Sequence, residues 1–170
     1  ANLRIVVNPN DNESLLRVLA NTEGVGKTSI DKLTRIAEIE GKQLMDVLKN
    51  VEDYPEFGGK TKNLLLEVSK FSAKYKYLSE EMSLTELSKS IIDETGLMYK
   101  LRLENTIESE ERLNNLQELI SAIAQYDDNN EGATLEGFLQ EVSLVADIDS
   151  LDNQKNAVTL MTIHAAKGLE

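Results

Sequence analysis

Cysteine is missing altogether and histidine occurs once, at His164. The first absence removes disulfides, thiolate nucleophiles and cysteine-ligated zinc or iron-sulfur centres, and the second leaves no multi-histidine metal site. No metal ligand set and no catalytic residue is expected from these 170 residues. Long apolar runs are also lacking: the longest is as short as Leu64-Leu65-Leu66. With no basic segment leading into an apolar core at the N-terminus, neither a membrane span nor a secretory signal is expected, and the expected location is cytoplasmic. Bases are scarce too, 18 Lys and Arg against 30 Asp and Glu for a net charge of −12, so any contact with a polyanion must be local.

The acidity is uneven. Residues 1–100 hold 16 acids and 14 bases, whereas residues 101–170 hold 14 acids and 4 bases. A nucleic acid would therefore meet the N-terminal part, where Arg17, Lys27, Lys32 and Arg35 lie close together in sequence.

Periodicity predicts a helical chain. Leu3, Ile5, Val6 and Val7 end an element at Asn8-Pro9, because proline disfavours helical geometry in the residue before it. Asn10 and Glu13 have capping-box spacing ahead of the stripe Leu15, Leu16, Val18 and Leu19. After Gly24 and Gly26, Thr28 is expected to cap a helix carrying Ile30, Leu33 and Ala37 that stops near Gly41. Leu44, Val47, Leu48 and Val51 predict a short third helix, closed by Asp53-Tyr54-Pro55 and Gly58-Gly59. Leu64 to Leu78 predicts about four helical turns. Ser83 and Glu86 form a further capping box, opening a helix that stops at Gly96. Leu113, Leu116, Ile120 and Ile123 mark a long helix before the polar run 127–132, and Thr134 caps the next. From Asp147 to Asn156 the chain reads as a polar connector, and Val158 to Ile163 alternates like a strand. A lone strand needs partners, so its sheet is expected to lie outside this chain, which then reads as part of something larger.

Most motif-like strings have plain explanations. Gly26-Lys27-Thr28 suggests a phosphate-binding loop, but Asn21 stands where that motif needs its first glycine, and a helix rather than a strand precedes it. Glu80-Glu81, Glu110-Glu111 and Asp127-Asp128 are sequence neighbours that diverge on a helix, and read as solvated surface. Gly24-Val25-Gly26 is more informative. Val25 can plug the core between two glycines while the amides of Gly26, Lys27 and Thr28 fan out at a helix start. On these residues alone two readings stand: a plain turn between helices, or a helix-hairpin-helix element that grips a nucleic-acid backbone through peptide dipoles.

The final residues add a specific string. Thr162-Ile163-His164-Ala165-Ala166-Lys167-Gly168-Leu169-Glu170, after Val158-Thr159-Leu160-Met161, resembles the T-x-H-x-x-K-G-L-E motif V of UvrD/Rep-type superfamily 1 DNA helicases. Further matches are Leu3-Arg4 with Asn8-Pro9-Asn10-Asp11, the Gly24-Val25-Gly26 turn, Glu111-Arg112 with Asn115 to Leu119, and Phe138 to Leu144 with Asp147-Ile148-Asp149. They span essentially the whole chain and are most similar to the PcrA branch.

The resemblance implies that residues 1–153 are the all-α, multi-helix subdomain 2B, the first ~8 residues lying at its junction with subdomain 2A. Residues 154–170 would then return into the RecA-like 2A as a strand carrying motif V. It further implies an ATP-dependent 3′–5′ helicase of replication and repair, a hydrolase using ATP and Mg²⁺, in which 2B contacts the duplex and restrains unwinding. The fragment itself would be neither ATPase nor helicase, because the phosphate loop, Walker B acids, arginine fingers and motif VI are not in it. By resemblance Gly24, Val25, Gly26, Lys27 and Thr28 form the duplex contact, Thr162 and His164 approach the single strand, and Gly168 and Glu170 lie near the nucleotide. Partners so implied are double-stranded DNA, subdomains 1A, 1B and 2A, and accessory proteins that dock on 2B. Glu23 stands where the family often places a base, which implies weak affinity for duplex.

Overall fold

The computed structural model of the chain describes residues 1–149, with side chains to Leu144. The chain divides into two compact units, residues 1–139 and 140–170. Every regular element among the described residues is helical. The strand expected at 158–163 lies outside them.

Helix α1 (Asn2–Val7) ends at an extended Asn8 ahead of Pro9. Its adjacent residues Ile5 and Val6 serve different apolar clusters. Helix α2 (Asn12–Ala20) is capped by Asp11, whose carboxylate accepts the Ser14 amide at 3.0 Å. The expected Asn10–Glu13 box is therefore displaced by one residue, and the Ser14 amide holds the Asp11 carboxyl below its ordinary pKa. Helix α3 (Lys27–Glu40) begins at Gly26 without a side-chain cap and ends at Gly41. Thr28 is thus inside the first turn rather than at the cap. Helix α4 (Leu44–Lys49) buries four of its six residues, and a 3₁₀ turn follows at Val51–Asp53.

Helix α5 (Gly59–Leu78), longer than the four turns expected, is the spine of the first unit. Its Leu65 and Val68 join the cluster that holds Leu15, Leu19, Val25, Leu33 and Leu48. Tyr75 joins a second cluster with Val6, Leu87, Ile91, Ile123 and Phe138, and Phe71 packs against both. The Ser72 hydroxyl donates to the Ile5 carbonyl at 2.7 Å, fastening α5 to α1 in a buried place where an unpaired hydroxyl would be costly.

Helix α6 (Leu84–Glu94) opens with the expected capping box, Ser83 and Glu86 each meeting the other's amide at 3.2 Å. Helix α7 (Leu97–Glu104) is an element that the periodicity did not predict, a two-turn helix with only Leu101 buried. Helix α8 (Ile107–Asn129) starts well before Leu113, at a reciprocal Thr106–Ser109 cap, and runs through the first part of the polar segment. Helix α9 (Leu135–Asp149) begins as expected at Thr134, which accepts the Gly137 amide at 3.1 Å.

Two polar ties join helices around the second cluster. Tyr75, fully buried, donates its hydroxyl to Glu94 at 2.7 Å, and Lys74 pairs with the same carboxylate. Lys74 and Tyr75 together hold the Glu94 carboxyl below its usual range, while burial pushes the Tyr75 phenol up. Asp127 accepts the Thr85 amide at 2.9 Å, so it caps the first turn of α6 from α8. The reading of Asp127 as simple solvated surface is corrected by that bond.

Candidate nucleic-acid interface

The turn between α2 and α3 is built by short-range hydrogen bonds. Asn21 returns its side-chain amide to the Arg17 carbonyl at 2.7 Å, Thr22 its hydroxyl to Val18 at 2.9 Å, and the Val25 amide meets the Thr22 carbonyl at 3.0 Å. Val25 is buried in the first cluster, while Glu23, Gly24, Gly26, Lys27 and Thr28 around it are exposed. The apolar plug is where the sequence placed it.

The two glycines have different reasons. Gly24 has φ +91°, a left-handed backbone that strains any side chain, and a Cβ there would stand 2.9 Å from Cδ1 of Leu64, which would have to shift. Gly26 has φ −87° and ψ 164°, extended geometry open to any residue, and a Cβ there would meet nothing within 4 Å. The fold does not require glycine at 26. What Gly26 leaves is clear space over the start of α3.

That start carries unmet donors. The Ser29 and Ile30 amides both reach the Gly26 carbonyl, at 2.9 and 3.2 Å, but among the described residues no acceptor meets the amides of Gly26, Lys27 and Thr28. Three N–H groups, the positive end of a 14-residue helix and the Lys27 ammonium therefore share one exposed corner. An oxyanion fits this arrangement chemically.

The wider basic cluster is less available than its sequence suggests. Arg17 pairs with Glu13 at 2.7 Å, and Lys32 donates to the Glu56 carbonyl at 3.0 Å. Lys27 and Arg35 are exposed, and neither forms an ion pair among the described residues. Leu64 and Glu56, which shape this corner from the start of α5 and the loop before it, carry no local signal in the sequence. Their role depends on a long-range approach.

The other residues predicted for function, Thr162, His164, Gly168 and Glu170, lie outside the described residues. Among the described residues no cluster of three or more His, Asp or Glu could hold a metal ion. No helix among them is long and apolar enough to cross a membrane.

Comparison with known proteins gives the family. The family model for the UvrD-like helicase C-terminal domain matches residues 1–170, and the chain belongs to that family. Among its relatives, the ATP-dependent DNA helicase PcrA of Bacillus subtilis (strain 168) is 36% identical over 177 residues, covering 100% of this chain and 24% of the relative. The ATP-dependent DNA helicase PcrA of Staphylococcus epidermidis (strain RP62A) is 37% identical over 174 residues, covering 99% of this chain and 23% of the relative. The Staphylococcus aureus (strain Mu50) protein of the same name is 36% identical over 174 residues with the same coverage. The chain thus spans about a quarter of the length of these relatives.

Proposed function

We propose that the chain is subdomain 2B, with flanking segments of 2A, of an ATP-dependent 3′–5′ DNA helicase of replication and repair, and that the α2–α3 turn holds a phosphate of the duplex ahead of the fork. The carrying observation is the set of open amides at Gly26, Lys27 and Thr28 beneath a glycine that the fold does not need. A backbone phosphate in that corner would accept from the amides and the Thr28 hydroxyl, with Lys27 contributing charge. The contact reads no bases, and so suits a subdomain that moves along any sequence and restrains unwinding by its position.

Residues 1–153 form 2B in this reading, and 154–170 return to 2A. Thr162 and His164 would approach the single strand, and Gly168 and Glu170 the nucleotide. ATP with Mg²⁺ would supply the driving hydrolysis in the parent protein, whose phosphate-binding groups are outside this chain. The chain alone is expected to release no phosphate from ATP, with or without DNA. DNA-stimulated turnover that persists across independent preparations would remove the subdomain reading.

Titration of the chain with a duplex bearing a 3′ tail, at several salt concentrations, tests the contact. Lys27→Ala is expected to flatten the salt dependence by about one unit at most, since one counterion-releasing contact is lost. Gly26→Val is expected to block the approach without harming the fold, and Glu23→Arg to strengthen binding. Unchanged duplex affinity in well-folded Gly26 and Lys27 variants would leave the hairpin as a turn only. Docking of accessory proteins would then be the better account of the subdomain.

A further inference from the structure

Helix α7 has two apolar sides. Leu101 is buried, yet Tyr99 and Leu103 are 68% and 65% exposed. At about 100° between successive helical residues, Tyr99 and Leu103 lie side by side on the face opposite Leu101, with Lys100 on one flank and Arg102 on the other. Among the described residues neither base forms an ion pair, so both charges stand open to an acidic partner. An exposed aromatic–aliphatic ridge with an unpaired cation on each side is not explained by the packing of α7, whose buried residue, Leu101, lies on the other side.

The geometry points to α7 as a docking ridge for an amphipathic helix of a protein partner, one whose apolar stripe is bordered by carboxylates on both edges. The ridge supplies the apolar seam, and Lys100 and Arg102 select the partner by charge, as flanking positions do where two helices meet. A polyanion alone would leave Tyr99 and Leu103 without a reason, and a wholly apolar partner would leave the two cations without one. The site is separate from the α2–α3 turn, and its test does not depend on the duplex contact.

The experiment uses the whole chain, isotopically labelled, titrated with a synthetic helix-forming peptide about 15 residues long, carrying leucines at i, i+3, i+4 and i+7 and glutamates on both flanks. The same peptide with lysine for glutamate is the control. Amide shifts confined to 97–107 are expected, with the glutamate peptide about three- to tenfold tighter than the lysine one, as two rim ion pairs allow. The double variant Lys100→Glu/Arg102→Glu should reverse that preference, and Tyr99→Ser/Leu103→Ser should abolish binding of both. These side chains are exposed, so the fold should survive, and Gly26→Val should leave peptide binding unchanged. Equal affinity for the two peptides, no binding of either, or shifts elsewhere would overturn the proposal. So would self-association of the chain that Tyr99→Ser/Leu103→Ser removes, or a single-stranded oligonucleotide that shifts the same amides.

Discussion

The two apolar clusters of the first unit differ in how their longer helices start, although α2, on the first, is capped by Asp11. Around the second cluster, α6, α8 and α9 each begin at a side-chain cap, supplied by Ser83, Thr106 and Thr134, and α6 gains a further acceptor from Asp127. Around the first, the two longest helices begin bare: α3 at Gly26 and α5 at Gly58 have no side-chain cap. Each core carries a polar tie at its edge: Tyr54 donates to Glu40 at 2.7 Å, with Lys42 paired to the same carboxylate, on the first, and Tyr75 donates to Glu94, paired with Lys74, on the second. The halves part at their helix starts, most of them closed by side chains about the second cluster and the two longest left bare about the first. A bare start does not by itself mark a site, since Gly58 has one too. What sets Gly26 apart is Val25 locked beneath it and Gly24 pressed against Leu64.

Core truncation should give the widest separation between the halves. Leu33→Ala, at a fully buried position, is expected to lower stability by about 2–5 kcal/mol, while Tyr75→Phe, which keeps the ring and loses its hydrogen bonds, should cost about 0.5–1.5 kcal/mol. Urea unfolding with unchanged m values measures both. Equal losses would mean that the polar tie counts for as much as apolar packing.

Next in size is Gly24→Ala, expected to cost about 1–3 kcal/mol because a left-handed backbone is strained for alanine. The contact with Leu64 makes a sharper test. If it adds to the strain, the double variant Gly24→Ala/Leu64→Ala should lose less than the two single losses combined. Additive losses would assign the whole effect to the backbone.

Acid should act on both halves, since Asp11 and Glu40 about the first cluster are held low as Glu94 and Asp127 are about the second. The Glu94 and Asp127 carboxyls are held below their ordinary values of 4.5 and 3.8, the first by Lys74 and Tyr75, the second by the hydroxyl and amide of Thr85. A depressed folded-state pKa contributes stability that is present above the unfolded value and lost as pH falls through the folded one. Below about pH 4.5, amide protection is therefore expected to fall in α6 and α3 alike, as read by hydrogen exchange. Glu94→Gln and Asp127→Asn together should make α6 less sensitive to acid and leave the response of α3 unchanged. A changed response of α3 in that variant would show that the clusters open as one.

The smallest effect concerns the bare helix starts. Gly26→Asp and Gly58→Asp should each change stability by only a few tenths of a kcal/mol, because an acidic N-cap replaces glycine. Their effect on duplex should differ: Gly26→Asp is expected to weaken binding and Gly58→Asp to leave it nearly unchanged. Matching losses in binding would extend the DNA-contacting surface to α5, and no loss in either would confine the role of the turn to the fold.

Much of this architecture was written locally. Pro9 stops α1, Gly41 stops α3, and the Ser83–Glu86 and Thr134 starts follow from residues within one turn of each other, where chain connectivity already brings the partners together. The one-residue shift from Asn10 to Asp11 has the same scale as the uncertainty of any helix end. Helix α7 escaped because Leu97, Leu101, Leu103 and Tyr99 do not share one face, so no single stripe announces it.

By itself the sequence determined the helical class, the Val25 plug between its glycines, and, through a string of residues near the C-terminus, the family to which the chain belongs. Only the tertiary structure decided that Ile5 and Val6 part into two clusters, that Asp127 closes the start of α6, that Lys32 is taken by the Glu56 carbonyl, and that Gly24 answers to Leu64 whereas Gly26 answers to nothing in the fold. The reason is separation along the chain. Partners three or four residues apart are imposed by helical geometry and are visible as spacing, but Asp127 meets Thr85 across 42 residues and Ser72 meets Ile5 across 67, and such meetings arise only when whole helices pack.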